Sequence, residues 1–97
     1  MITNKQEILD SCIDDTKTKA LAIKLIRLIA KEKDNVKRWI VLETILMPVM
    51  RAEIEVLSRL DKGEIKRGEA LFSGFYLFRS MLMYNLSKIM SDSAKNP

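Results

Sequence analysis

Apolar residues recur at three- and four-residue intervals through most of the chain, the spacing that lines one face of an α-helix. The first such face is Ile8, Leu9, Cys12 and Ile13. Thr3 and Gln6 stand before it at the spacing of a capping box, which predicts a short helix over about residues 4–14. Asp14, Asp15 and Thr16 offer N-caps for a second helix, which carries Leu21, Ala22, Leu25, Ile26, Leu28 and Ile29 and runs to about residue 33. Asp34 and Asn35 then interrupt the pattern and cap a third helix over about residues 36–60. Gly63 stands where a helix C-terminus commonly needs a left-handed residue. Pro48 lies inside this third helix, where its missing N–H predicts a kink or break at about residues 44–48. A fourth helix is expected from about residue 64, weakened at Gly68 and ending before Ser91, with the tail 91–97 left to fray.

Short joints between helices make sequence neighbours pack antiparallel. The expected architecture is therefore all-α, a four-helix bundle or helical array, in one domain over residues 1–90. Three Gly and two Pro give too few turn signals for a β-sandwich or barrel. With 97 residues, 47% of them hydrophobic, the chain is near the lower end of the sizes that bury a self-sufficient core.

Placed on a wheel at about 100° per residue, the fourth helix gathers Leu71, Phe72, Phe75, Leu82, Leu86, Ile89 and Met90 in one arc, with Arg79 among them. Leu77, Phe78, Met81 and Met83 occupy other directions, and only Ser73, Ser80 and Ser87 form a small polar seam. A helix apolar almost all round must be buried on nearly all sides. Three companion helices offer too little cover, so self-association is expected through Phe72, Phe75, Phe78, Leu82, Met83 and Leu86.

The third helix has a broad arc of its own, from Trp39 through Leu42, Ile45, Leu46, Val49, Met50, Ile54 and Val56 to Leu57, and Glu43 and Glu53 lie within it. A charge buried without a partner costs several kcal/mol. Arg79 is therefore expected to form a buried ion pair with Glu43 or Glu53. Two alternatives stay open: Arg79 and Tyr76 line a pocket for an anionic ligand, or the guanidinium reaches water along a Met and Phe surface.

Charge is unevenly spread. Between Lys17 and Arg38 there are eight Lys or Arg against Glu32 and Asp34, so this segment carries +6 of a chain total of +4. Lys17, Lys24 and Lys31 recur every seven residues, with Arg27 on the same face of the second helix, and Lys37 and Arg38 continue the stripe. Such a face is either simply solvated or meets an anionic partner: an acidic protein surface, the Glu7, Asp10, Asp14 and Asp15 face of another copy, or a nucleic-acid backbone. The Asp34-Asn35 joint allows a helix-turn-helix, although the third helix is long and apolar for a recognition helix.

Candidate chemistry is sparse. There is no His, which removes the commonest general base and nearly all zinc sites. Cys12 cannot close an intramolecular disulfide and reads as a buried thiol. Residues 58–69 place Gly, Ile and Glu as a calcium loop would, but Ser58, Leu60 and Lys62 stand where oxygen ligands belong. The longest apolar run is too short to span a bilayer and contains Arg79. The expectation is a cytoplasmic, non-enzymatic protein without cofactor or metal. It acts as a homo-oligomer that binds another protein, as adaptor, inhibitor or regulator, away from membranes. The alternatives are a nucleic-acid-binding regulator using the basic stripe, or a small-anion binder or enzyme centred on Arg79, Glu43, Glu53 and Tyr76.

Overall fold

The structure, a computed structural model, describes residues 2–95, and side chains as far as residue 92. It contains four helices, α1 (Lys5–Cys12), α2 (Asp15–Lys31), α3 (Asn35–Asp61) and α4 (Ala70–Lys95), and no strand among the described residues. Each of the first three starts at a side-chain cap that occupies an otherwise unpaired backbone donor. Asn4 accepts from the N–H of Glu7 at 2.8 Å, Asp14 from Lys17 at 3.0 Å and Asp34 from Lys37 at 2.9 Å. The first cap is thus Asn4, one residue after the expected Thr3. Thr3 is buried and donates to the Glu7 carboxylate at 3.0 Å, while Gln6 bonds Asp10 instead.

The α1–α2 joint is closed from inside. Thr18 is fully buried, and its hydroxyl donates to the Asp14 carbonyl at 2.9 Å and lies 3.0 Å from that of Ser11. The end of α3 follows the glycine logic: Gly63 has φ +74°, its N–H bonds the Leu60 carbonyl, and the Glu64 N–H bonds that of Arg59. These bonds commit residues 63 and 64 to closing α3, so α4 begins at Ala70 rather than near residue 64. Its far end runs to Lys95, past the stop expected before Ser91. Residues 96 and 97 of the expected tail lie outside the described residues.

All four helices contribute to one core, in a body of 47 × 21 × 21 Å. Ile8, Leu9 and Cys12 of α1 meet Leu21, Ala22, Leu25 and Ile29 of α2, while Leu42, Ile45, Val49, Ala52 and Val56 close the α3 side. The centre is held by α4, whose Phe75, Phe78 and Leu82 are completely buried. Its most extensive contact is with α2. Gly74 lets α4 approach the end of α1, and Ser73, Ser80 and Ser87 face solvent.

This packing corrects the expected self-interface. Phe75, Phe78, Leu82 and Leu86 lie inside the chain's own core, which leaves only half-buried Phe72 and exposed Met83 available to a partner. The physical reason is that α1 and α2 together cover more of α4 than a wheel suggests, with Phe78, rather than Arg79, turned inward. The expected arc of α3 also divides. Leu42, Ile45, Val49 and Val56 are buried, whereas Trp39, Met50, Ile54 and Leu57 are exposed.

Candidate functional site

Arg79 does pair with Glu53, its Nε 3.0 Å from Oε2, and Glu43 lies exposed on α3 away from it. The pair is not buried: the two side chains keep 45% and 29% of their accessible surface. Arg79 sits at the margin of α4's buried sector, where its head reaches both water and the carboxylate, so no charge is desolvated. Tyr76 belongs to an aromatic group, its ring 4.8 Å from that of Phe72 and edge-on to Phe75 at 5.7 Å. Neither cleft described below is lined by Arg79 or Tyr76.

The basic stripe splits into two halves. Lys17 shares a shallow cleft with Glu7 and Asp10 of α1, and Lys24 lies 3.8 Å from Glu7. Acids of the same chain thus lie against the first half. The second half gathers at the α2–α3 joint, where Arg27, Lys31 and Lys37 are exposed and Arg38 donates from Nε to the Glu32 carbonyl at 2.9 Å. Here the positive charge is presented to solvent.

A second ion-pair group ties α1 to α3. Lys5 donates to Glu55 at 3.0 Å, and Arg59, one turn beyond Glu55, bonds its other carboxylate oxygen. The hydrogen bond from Lys5 is the main reason that the Glu55 carboxyl is held below its ordinary pKa. Beside this group an open cleft of about 1120 Å³ runs between the N-terminus of α1 and α3, with Thr44, Met47, Arg51, Ile54 and Ser58 along one wall.

The feature missed in the sequence is the outer face of α3. Val36, Trp39, Ile40, Met47, Met50, Ile54 and Leu57 are all exposed, by between 44% and 69%, on the side opposite the core. Scattered exposed hydrophobes are ordinary, but a contiguous apolar ridge marks an interaction surface. By contrast Cys12 is sealed in the core, and burial pushes its thiol up to about 12. No cluster of acids or Cys among the described residues could hold a metal ion, and no helix among them is long and apolar enough to cross a membrane.

No family model, curated protein or solved structure matches the chain, so the surfaces themselves carry the functional argument.

Proposed function

We propose that this chain is a non-enzymatic interaction protein, an adaptor, inhibitor or regulator that works as a helical homo-oligomer in a reducing cytoplasm. The observation that supports this reading is the apolar ridge of α3, seven large side chains that the chain's own core leaves uncovered. Leaving them in water forgoes roughly 1 kcal/mol or more each, which a partner surface recovers. Pro48, which cannot donate to the helix ladder, is where we expect α3 to bend to fit such a surface. The lone buried thiol suits a compartment without disulfides. Light scattering of the purified chain tests the reading: a mass above 11.2 kDa at micromolar concentration is expected, and a monomer there overturns it.

A second reading is favoured by the basic end at the α2–α3 joint, where Arg27, Lys31 and Lys37 face solvent. It places a nucleic-acid backbone against that end. Binding of a labelled duplex should then weaken steeply with salt, and substitution of these three residues by Gln should flatten the slope. The anion-binding alternative at Arg79 has less support, because Glu53 engages the guanidinium.

A further inference from the structure

Val36, Ile40, Glu43, Met47, Met50, Ile54 and Leu57 follow one another along the outer face of α3 at alternating spacings of four and three. This is the seam of a heptad repeat, the pattern by which one helix packs along another. Six of its seven positions are apolar and exposed, and the seam extends for about 32 Å at 1.5 Å per residue. We infer that a second copy of this chain packs its own α3 antiparallel across this seam, with Met47 opposite the partner's Met50 and Glu43 beside the partner's Arg51. The inference rests on the self-association proposed above and specifies its surface and orientation.

The area fits a second copy. At their observed exposures the apolar seam residues and Trp39 present roughly 700 Å², close to the ~800 Å² per partner of a standard interface. A twofold pair supplies an equal seam on each side without any further component. A lipid surface fits poorly, because Glu43 in the middle of the seam would enter an apolar medium as an unpaired carboxylate.

The same Glu43 sets the direction. In a parallel pair it would face the partner's Glu43 in one layer, and like charges there repel. In the antiparallel register Glu43 lies opposite the partner's Ile54, and the partner's Arg51, at a flanking position one turn away, reaches it. Within the described residues of one chain neither Glu43 nor Arg51 forms an ion pair. The dyad completes both pairs at once. This register also sets Ile40 opposite the partner's Leu57 and brings Lys37, at one end of the seam, to the partner's Asp61 at the other. Thr44, Arg51 and Ser58 border the open cleft beside α1, which leaves room for the partner's flanking side chains. Trp39 is on the other flank, over the partner's Leu60.

Crosslinking tests the arrangement. Cys12 is buried and can be replaced by Ala, after which single cysteines are placed as Ile40→Cys or Leu57→Cys. Mixed chains should form the 40-to-57 disulfide, while Leu57→Cys alone should not, since its two copies lie about 25 Å apart along the antiparallel pair. Emission of the single Trp39 should shift to the blue as concentration rises through dimerisation. Glu43→Arg and Arg51→Glu should each weaken the dimer at least tenfold with helicity retained, and the two combined in one chain should restore it. A monomer at micromolar concentration overturns both this inference and the self-association reading. A dimer that crosslinks through Leu57→Cys alone, or through neither position, overturns the inference and leaves self-association standing.

Discussion

The backbone of Gly74 in α4 lies so close to Cys12 at the end of α1 that a Cβ at position 74 would stand 1.7 Å from the Cys12 carbonyl oxygen. The obstacle is backbone, so it cannot rotate aside, and both helices must separate to admit even a methyl group. Gly74→Ala should therefore destabilise the fold by about 3 kcal/mol, at the upper end for overpacked cores. Gly68 has nothing within 4 Å of the equivalent position, and Gly68→Ala should be neutral or stabilise by under about 1 kcal/mol. Urea denaturation of the two variants beside the parent chain checks both values.

The Cys12 thiol carries a pH signature. Its pKa rises from 9.0 to about 12 because burial disfavours the thiolate. The folded state therefore holds its proton where the unfolded chain has lost it, and this contribution is present below pH 9 and is lost as pH climbs toward 12. Stability should fall with pH across that window, and Cys12→Ala should fall less steeply. In the native chain at pH 8 the thiol should react with an aromatic disulfide reagent only at the rate of unfolding. Rapid native labelling would show that α1 opens independently of the core.

Glu55 responds at the opposite end of the scale. Its carboxyl is held low chiefly by the Lys5 hydrogen bond, which desolvation opposes, with further lowering by the nearby Arg59 and Lys5 charges. A depressed folded pKa gives stabilisation that is present above about 4.5, the ordinary value, and lost as pH falls through the folded one. Urea midpoints should drop between pH 5 and pH 3, and Glu55→Gln should reduce that drop. Lys5 is on α1 and Glu55 on α3, so hydrogen exchange in α1 should report the loss first.

Helix positions were legible because caps and breakers act locally. Asp14, Asp34 and Gly63 stand where short-range chemistry places them, and the joints follow. The start of α4 was not legible, since closure of α3 takes the backbone donors of residues 63 and 64 and Ile65 is then drawn against the core. The two apolar faces of α3 were harder still. Val49 and Met50 are adjacent in sequence and both apolar, yet Val49 is buried and Met50 exposed. A broad arc merges two stripes that lie on opposite sides of the helix. The separating signal was present in the four-three alternation from Val36 to Leu57, which repeats every seven residues and differs from the phase of Leu42, Ile45, Val49 and Val56.

Arg79 shows how the same limit changes an energy. Assigned to a buried pair, its loss should cost roughly 3 to 5 kcal/mol, because a carboxylate would be left desolvated. In the structure both Arg79 and Glu53 remain in contact with water, and the comparison is with exposed pairs worth about 0.2–1 kcal/mol. Arg79→Ala should therefore lower stability by at most about 1 kcal/mol. A double-mutant cycle with Glu53→Ala should give a coupling of under about 1 kcal/mol that shrinks in 1 M salt. The cycle with Glu43→Ala should give none. A loss above about 3 kcal/mol for Arg79→Ala would mean that the pair is desolvated in solution, for instance beneath a second copy whose contact reaches α4 as well as α3.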